Sequence, residues 1–450
     1  MVIMKEFDVL VVGGSATGVV AGIAARKHHE RAQIGLIRRE KQVPIPCGLP
    51  YIFGTIGAPE KNLIPDELLS KNGIELIVDE VASVDRNHKT VNTLGSGTIG
   101  YKRLILGTGS SPIVPRIPGV DLENVFTAKK DIEYLRHLSR ALETARSVVV
   151  IGGGFVGVEF ADEFRKRGLD VTVVEMLPHC LQVVYEEEFC LLAAQKLSER
   201  GVKVRTNSRV EGILGDAKVE RVRLSTGEEL AADLVFVGIG VIPDTKLAEE
   251  AGLKIGPQRA VWVDEYMRTS DETIFAAGDC AEKTSFFTKK PIALRLASIA
   301  AREARIAGAN LFELKSINEG VIGAFSTVIG NLALCAVGLT EKAARDAMHE
   351  PVIGVAAAPD KHPSSMPGAS ELRVKLVFDK ATGEMLGGQI YGGLTVGEVG
   401  NVLAAMIQKR MTVDEVVTLQ MGTHPMLTCS PITYQIVRAA EDAQVKHLRG

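Results

Sequence analysis

The sequence has no large excess of charge of either sign and no long apolar run. Its 450 residues carry 52 Lys and Arg against 55 Asp and Glu, a net charge of -3, so we expect no nucleic-acid partner. No apolar run reaches the ~18 residues of a membrane span. The residues before Asp8 lack the apolar stretch of a signal peptide. We therefore expect a cytoplasmic protein without a membrane partner.

Cysteine is sparse, and no two cysteines lie close together. The six cysteines, at positions 47, 180, 190, 280, 335 and 429, include no CxxC pair. This spacing excludes a dense disulfide scaffold. We expect reduced thiols, of which at most one or two take part in chemistry, and no bound metal. The length allows two to four domains.

A strand, a glycine turn and a helix occur in this order twice. The first turn, after a strand at 9–12, contains Gly13, Ser15, Ala16 and Gly18, and the second, after a strand at 147–151, contains Gly152, Gly154, Phe155, Val156 and Gly157. Such a turn lets the backbone approach a pyrophosphate at a helix N-terminus. We therefore predict an α/β fold with two dinucleotide-binding, Rossmann-like domains.

The end of the following strand differs between the two copies. In the second copy it is Glu175, and a carboxylate there accepts hydrogen bonds from ribose hydroxyls and repels a 2′-phosphate. We therefore expect NADH rather than NADPH. In the first copy the stretch is Arg38, Arg39 and Glu40. Either Glu40 supplies the ribose contact one or two residues late, or Arg38 faces solvent while the ribose is held otherwise.

Two further segments favour FAD as the ligand of the first copy. A strand at 102–106 leads into a turn with Thr108 and Gly109, and a strand at 273–277 ends in Gly278 and Asp279. We expect Asp279 to bind a ribityl hydroxyl or, through water, the flavin pyrophosphate. A following helix would direct its backbone N–H groups at phosphate.

Cys47 lies in the segment PCGLPY, residues 46–51. We expect a helix to begin at Gly48, with Pro50 tolerated in its first turn. Cys47 would then lie at the positive end of the helix dipole, which favours a thiolate; the alternative is a buried, unreactive thiol. No cysteine follows until Cys180, so the oxidised partner of Cys47 must be external or a modification.

With these motifs the chain resembles the flavoprotein disulfide reductases with two dinucleotide-binding domains. Within them it is similar to the single-cysteine branch of coenzyme A-disulfide reductases, NADH-dependent persulfide reductases, and NADH oxidases and peroxidases. The resemblance implies an FAD-binding domain (1–114 and 250–322), an NAD-binding domain (115–249) and a C-terminal α+β domain (323–450). The last would form a homodimer and complete the partner's active site.

The tail supports this division. Residues 371–379 alternate between polar and apolar, a second strand is predicted at 385–391, and an apolar helix follows from 396 to 409. A hairpin and helix of this kind need a partner surface. We expect no sulfurtransferase-like domain of the kind that some persulfide reductases carry.

The resemblance also implies roles for single residues. NADH would dock near Glu159, with Gly240 as a further NAD contact, and pass hydride to FAD. The Cys47 thiolate would attack a sulfane or disulfide sulfur, and reduced flavin would split the new S–S bond. His424 is the candidate acid–base group, or else a structural loop histidine. Cys429 is a second thiol across the dimer, or else inert.

Coenzyme A would need cations for its phosphates. Arg26 and Lys27, at the end of the first helix, are the candidates, although charges there also serve as partners of the helix dipole.

Departures from the family narrow the substrate. The tail lacks the tyrosines of coenzyme A-disulfide reductases, which favours a small persulfide sulfur. Ala16 stands where NADH peroxidases carry a histidine, which disfavours peroxide. The predicted function is NAD(P)H-dependent reduction of coenzyme A persulfide, coenzyme A disulfide or polysulfide. The alternatives are an NADH oxidase that reduces oxygen and a non-catalytic flavoprotein redox sensor.

Overall fold

The computed structural model describes the backbone of residues 5–449 and the side chains of residues 5–446. The strands are, in chain order, β1 Lys5–Val12, β2 Ile34–Arg38, β3 Ile74–Val78, β4 Val81–Asp85, β5 Thr90–Thr93, β6 Thr98–Leu106, β7 Ser110–Pro112, β8 Val125–Thr127, β9 Ser147–Ile151, β10 Asp170–Val174, β11 Lys203–Arg205, β12 Val210–Leu214, β13 Arg221–Leu224, β14 Glu229–Ala231, β15 Leu234–Val237, β16 Val241–Pro243, β17 Ile274–Ala276, β18 Lys283–Thr284, β19 Pro291–Ile292, β20 Ala324–Ile329, β21 Leu332–Gly338, β22 Pro351–Pro359, β23 Glu371–Asp379 and β24 Met385–Gly392. The α-helices are α1 Ala16–His28, α2 Glu67–Ser70, α3 Ile132–Thr144, α4 Phe155–Lys166, α5 Glu187–Glu199, α6 Lys246–Glu250, α7 Ala297–Ala309, α8 Glu341–Asp346, α9 Val396–Gln408, α10 Val413–Val417 and α11 Gln435–Arg449.

The chain forms two compact units, each built from separate stretches of sequence. The first contains the described residues up to Pro115, together with Phe126–Ala145 and Ile239–Val321. The second contains Arg116–Val125, Arg146–Gly238 and the described residues from Ile322 onwards. The division into three domains with boundaries at 114, 249 and 322 stays a prediction.

The first unit is built on a largely parallel sheet. Its strands lie in the order β3-β2-β1-β6-β5-β4, with β17 also paired to β6. The strands β1, β2, β3, β6 and β17 run parallel, and β4 and β5 add an antiparallel edge. Val9, Leu10 and Val11 of β1 are fully buried, as expected for a parallel strand covered on both faces.

Helices α1 and α7 pack closely in this unit because small residues meet between them. A Cβ on Gly308 of α7 would lie 2.7 Å from the Cβ of Ala24 and 2.8 Å from the carbonyl oxygen of Ala21, both on α1. This close packing sets the position of α1, whose N-terminus faces the first glycine turn.

The second unit contains a second parallel sheet and an antiparallel one. Strands β11, β10, β9 and β15 lie side by side in parallel, with Val149 and Val235 in their core. The C-terminal strands form an antiparallel sheet in the order β20-β21-β24-β23-β22. The helix α9 packs on β21 and β24, and α11 packs on β22 and β23.

The predicted fold class is confirmed: two Rossmann-like folds and a C-terminal α+β part are present. The predicted strands at 371–379 and 385–391 correspond to β23 and β24. The predicted helix that begins at residue 396 corresponds to α9. Across residues 5–449, no helix has the length and apolar character of a membrane span.

Candidate active site

The turn after β1 has no space for side chains at two of its glycines. A Cβ on Gly13, whose φ is +114°, would lie 2.2 Å from the carbonyl oxygen of Gly107, and one on Gly18 would lie 1.8 Å from that of Gly13. Ser15 has extended backbone and makes no capping hydrogen bond, and Ala16 begins α1. The first N–H groups of α1 therefore remain available to a phosphate.

The turn after β17 lies against the start of α1. Gly278 has a φ of +75°, and a Cβ there would lie 2.2 Å from the hydroxyl oxygen of Thr17. The adjacent Asp279 accepts a hydrogen bond of 2.7 Å from the Ser110 hydroxyl, and Nζ of Lys130 lies 3.9 Å from its carboxylate. Asp279 is thus held beside the same turn as Gly13, as a pyrophosphate or ribityl contact requires.

The prediction of a helix directly after Asp279 is wrong. Gly278–Cys280 is a single 3-10 turn, and the next helix, α7, begins only at Ala297. A turn of this length supplies no helix N-terminus for phosphate. On the neighbouring loop, the Thr108 hydroxyl donates to the Asp244 carbonyl over 2.6 Å, and Gly109 has a φ of +80°.

A buried ion pair between Lys283 and Glu303, which sequence reasoning missed, supports the turn at Gly278. The Glu303 carboxylate accepts from the Gly278 N–H over 3.0 Å and lies 2.9 Å from Nζ of Lys283. Lys283 also donates to the carbonyls of Gly278 and Ala281. Burial raises the pKa of Glu303, and the charge of Lys283 opposes that shift. The sequence signal for this ion pair was Glu303 itself, a charged residue on the otherwise apolar face of α7.

Arg38 is buried, so the expectation that it faces solvent is wrong. Its side chain is 1% exposed and donates to both carboxylate oxygens of Asp66, over 2.6 and 2.8 Å. It packs under Gly14, where a Cβ would lie 2.3 Å from its Cδ. The Glu40 carboxylate instead pairs with Arg39 over 3.0 Å. The Arg38–Asp66 pair therefore stands where a ribose-binding acid was expected.

Cys47 is exposed, but it does not precede an α-helix. Its segment forms two short 3-10 turns, Pro46–Gly48 and Pro50–Ile52, so the helix-dipole argument for its thiolate is wrong. Asn62 holds the segment instead. This buried residue exchanges backbone and side-chain hydrogen bonds with Ile45, and a Cβ on Gly48 would lie 2.0 Å from its side-chain oxygen.

In the second unit, the turn after β9 has the same construction as the turn after β1. Gly152 has a φ of +104°, and a Cβ on Gly157 would lie 1.9 Å from the carbonyl oxygen of Gly152. Gly154 precedes α4, and a Cβ there would meet nothing within 4 Å. Phe155 and Val156 form the first turn of α4. This geometry leaves the helix N-terminus open for a second pyrophosphate.

Glu175 follows β10 and lies against this turn. Its carboxylate accepts from the N–H of Gly153 over 2.6 Å and from that of Leu177 over 2.8 Å. Each oxygen keeps a further lone pair for a ribose hydroxyl. Gly240 has a φ of +108° but belongs to the first unit, so its NAD contact stays a prediction.

Glu159 lies on the buried side of α4. The Thr327 hydroxyl donates to its carboxylate over 2.9 Å. Burial raises the pKa of Glu159 to about 7, repulsion from Glu163 adds to the shift, and the bond from Thr327 opposes it. A carboxyl group with this pKa can hold or release a proton near neutral pH.

The sequence patterns behind this geometry match one family over most of the chain. The pattern described as "Pyridine nucleotide-disulphide oxidoreductase" matches residues 7–304, and the pattern of its dimerisation domain matches residues 324–432. The chain belongs to the pyridine nucleotide-disulphide oxidoreductase family. The dimerisation-domain match indicates a homodimer.

Similar members of this family carry two kinds of name. An NADH oxidase of Methanocaldococcus jannaschii is 31% identical over 97% of this chain and 98% of its own length. An NAD(P)H coenzyme A polysulfide/persulfide reductase of Pyrococcus horikoshii is 30% identical over 92% of this chain and 93% of its own. The structure of an NAD-dependent persulfide reductase from A. fulgidus has a TM-score of 0.91 at 32% identity, covering 98% of this chain and 84% of that one.

Membership of the pyridine nucleotide-disulphide oxidoreductase family implies FAD and NAD(P)H as cofactors, and the residues present fit both. In each unit a parallel strand, a turn whose last glycine leaves no space for a Cβ, and an open helix N-terminus follow one another. Such a turn admits a pyrophosphate to the backbone N–H groups.

The C-terminal loops of this family member carry His424 in an exposed position. Its backbone N–H donates to the Thr428 hydroxyl over 3.0 Å, and its ring Nδ1 accepts from the Met426 N–H over 3.3 Å. The proton of the neutral ring therefore lies on Nε2. Nearby, Cys429 is buried, and burial raises its pKa, which opposes thiolate formation.

Arg26, a predicted contact of coenzyme A, makes four hydrogen bonds to backbone carbonyls. Its guanidinium donates to the carbonyls of Asn72 and Gly73 and to those of Glu30 and Ala32. These bonds tie α1 to neighbouring turns, while Lys27 is exposed; a contact of either residue with coenzyme A phosphates stays a prediction. Among the described residues, no group of three His, Cys, Asp or Glu side chains could hold a metal ion.

Proposed function

We propose that the protein uses NADH to reduce persulfide or disulfide sulfur through Cys47. The exposure of this thiol carries the proposal. Among the described residues Cys47 is exposed, whereas the other five cysteines are buried. Cys47 also belongs to the same compact unit as the FAD-type turns, and Asn62 holds its loop. A thiol presented in this way can meet a small external sulfur compound.

The chain's own residues supply binding, nucleophile and proton transfer. FAD, when bound, would carry two electrons from the nicotinamide to sulfur. The turns at Gly13 and Gly278, with Asp279, would bind its pyrophosphate and ribityl chain. The Cys47 thiolate would attack the sulfane sulfur of R–S–SH, forming a Cys47 persulfide and releasing R–S⁻. Glu159, with a pKa of about 7, would exchange a proton beside the nicotinamide.

NADH rather than NADPH is the proposed reductant. The Glu175 carboxylate is held by two backbone N–H groups beside the NAD-type turn. Its negative charge would repel a 2′-phosphate, and its remaining lone pairs would accept ribose hydroxyls.

Coenzyme A persulfide is the proposed substrate, with coenzyme A disulfide and polysulfide as further acceptors. The name of the P. horikoshii relative supports a coenzyme A persulfide, and the name of the A. fulgidus structure supports a persulfide. Reduction of oxygen is the second candidate, because the M. jannaschii relative is named an NADH oxidase.

The homodimer would complete each active site. We propose that residues 323–450 of one copy bring His424 to the Cys47 of the other, where its Nε2–H would donate a hydrogen bond to the departing sulfur. We also propose the boundaries 1–114 with 250–322 for FAD, 115–249 for NAD, and a cytoplasmic location.

Replacing the nucleophile tests this function. Under anaerobic conditions, Cys47→Ser should lose turnover of NADH with coenzyme A persulfide while stopped-flow flavin reduction by NADH stays at the wild-type rate. Cys429→Ser is the control and should keep turnover, since Cys429 is buried. Retained persulfide turnover in Cys47→Ser would contradict the mechanism. Wild-type turnover with oxygen but not with persulfide would instead establish the oxidase function.

A further inference from the structure

One buried ion pair holds both backbone polar groups of Gly278. The Glu303 carboxylate accepts from the Gly278 N–H over 3.0 Å, and Nζ of Lys283 donates to the Gly278 carbonyl. The charged groups of Lys283 and Glu303 lie 2.9 Å apart, and Lys283 also donates to the Ala281 carbonyl over 2.8 Å. The turn Gly278–Cys280 is therefore fixed at its first residue and directly after its last.

Folding stability alone does not account for this pair. The side chain of Lys283 is 3% exposed, and that of Glu303 is fully buried. Among the residues whose side chains are described, one carboxylate oxygen of Glu303, Oε1, has no hydrogen-bond partner. A buried ion pair rarely stabilises a fold more than apolar residues of similar volume do, and an unsatisfied oxygen adds to its cost. Such a pair indicates a requirement of a site rather than of the core.

The pair joins β18 and α7 to the turn after β17. Lys283 is in β18 and Glu303 in α7, and α7 packs on α1 at Gly308. Thr17 of α1 lies against the turn, since a Cβ on Gly278 would be 2.2 Å from its hydroxyl oxygen. The pair therefore holds this turn beside the start of α1, where the other glycine turn of the unit ends.

Asp279 follows Gly278 directly and stays accessible to a ligand. Its side chain is 22% exposed. The Ser110 hydroxyl takes up one lone pair of its carboxylate, which leaves further lone pairs for a ribityl hydroxyl. Because Lys283 and Glu303 are buried on the inner side of the turn, they can act on a ligand of Asp279 only through the position of the turn.

We propose that Lys283 and Glu303 are positioning residues for FAD, which fix the turn that carries Asp279 before the cofactor binds and so slow the release of FAD. This inference rests on the proposed contact of Asp279 with FAD and is independent of the sulfur substrate. A turn that is already fixed loses little conformational freedom on binding, so more of the contact energy is retained as affinity. The two charges cancel each other, so the pair does not repel the pyrophosphate.

Glu303→Gln tests the charge of the pair. The amide oxygen can still accept from the Gly278 N–H, but Lys283 keeps a buried charge without a counter-charge. We expect FAD to leave the holoprotein about 10- to 100-fold faster, the loss of one charge-assisted hydrogen bond. Flavin fluorescence after dilution of the holoprotein measures this rate. Glu313→Gln, at an exposed pair with Lys315 in the same unit, is the control and should release FAD at the wild-type rate.

Lys283→Met/Glu303→Gln separates the position of the turn from folding. No charge is then buried, and the Gly278 carbonyl still accepts from the Ala281 N–H over 3.0 Å. We expect the melting temperature in excess FAD to return close to the wild-type value. FAD release should stay about 10-fold or more above the wild-type rate, because the charged donor to both carbonyls is gone.

Three outcomes would overturn the proposal. The first is FAD release within about threefold of wild type in the folded double variant. The second is a low melting temperature in both variants with FAD lost only as they unfold, which would assign the pair to folding. The third is unchanged FAD release in Asp279→Ala, which would contradict the proposed FAD contact itself and this inference with it. Faster release in Asp279→Ala, together with wild-type release in the double variant, would overturn the positioning role alone.

Discussion

At the scale of single residues, burial and hydrogen bonding set the chemistry of each candidate group. Cys47 is exposed on a loop held by Asn62, whereas Cys180 and Cys190 are buried. Burial raises the pKa of Cys180 to about 12 and that of Cys190 to about 11. The same side chain is therefore available for attack at one position and held as a neutral thiol at the others. Glu159 shows the corresponding effect for a carboxyl group.

The raised pKa of Glu159 predicts a pH-dependent loss of stability. Because its folded pKa is about 7 against a usual value of 4.5, the folded state holds this proton more tightly than the unfolded state. The resulting stabilisation is fully present below pH 4.5 and is lost as pH rises through about 7. The free energy of unfolding falls by about 3 kcal/mol at most over this range. Glu159→Gln cannot titrate, so it should gain stability relative to wild type between pH 5 and pH 8.

Melting temperatures of both proteins at pH 5 and pH 8 check this prediction. The exposed Glu143→Gln is the control and should follow the wild type at both values. Parallel melting curves for wild type and Glu159→Gln across this range would show that Glu159 titrates normally. Slower flavin reduction in Glu159→Gln would, separately, support its place beside the nicotinamide.

At the scale of elements, close contacts between backbones depend on small residues. The strand β22 packs against α11 at Gly354, where a Cβ would lie 1.8 Å from the carbonyl oxygen of Ala439 and 2.9 Å from the Cβ of Ala443. Neither contact can be relieved by a side-chain rotation, because one partner is backbone and the other a Cβ. The spacing of α11 from the C-terminal sheet therefore requires glycine at this position.

Gly354→Ala should lower the free energy of unfolding by about 1–3 kcal/mol, because overpacking forces the backbone to shift. The control is Gly397→Ala on α9, where a Cβ would meet nothing within 4 Å and alanine favours the helix. Thermal unfolding monitored by circular dichroism should show a clear decrease for the first variant only. Equal melting temperatures would show that β22 and α11 separate without cost.

At the scale of the whole molecule, the family assignment indicates a homodimer, and the proposed site combines residues of two copies. Mixed dimers test this directly. We expect Cys47→Ser and His424→Gln to be inactive alone. After dissociation and random reassociation, hybrid dimers should contain one intact site and restore about a quarter of wild-type turnover.

A site formed within one chain gives the opposite result, because every chain in the mixture would carry a defect. Light scattering should report twice the 48.3 kDa chain mass for each variant and for the mixture. Wild-type protein taken through the same procedure controls for losses in reassociation.

The local motifs could be predicted from sequence because their geometry depends on neighbours along the chain. Gly18 and Gly157 are required by turns in which a Cβ would meet the carbonyl oxygen of the residue five positions earlier, and Gly13 and Gly152 have positive φ. The alternation in β23 and the apolar spacing in α9 likewise follow from strand and helix periodicity. The lone position of Cys47 was evident from the spacing of the cysteines.

Two features that the sequence did not predict depend on contacts between distant parts of the chain. The burial of Arg38 depends on Asp66, 28 residues away, and the support of Gly278 depends on Glu303, 25 residues away. No pattern in one stretch of sequence reports such pairings. The helix expected at Cys47 is a local error instead, since Pro46 and Pro50 each begin a short 3-10 turn in the same segment.

The sequence by itself determined the two dinucleotide folds, the first candidate thiol and the family, since these follow from local periodicity, glycine geometry and residue identity. Only the tertiary structure decided which side chains are buried and which ring nitrogen of His424 carries the proton. Burial changes the free energy of a charge, and a hydrogen bond to one ring nitrogen fixes a tautomer. Both effects act through space, which is why Glu159 acquires its raised pKa only in the folded protein.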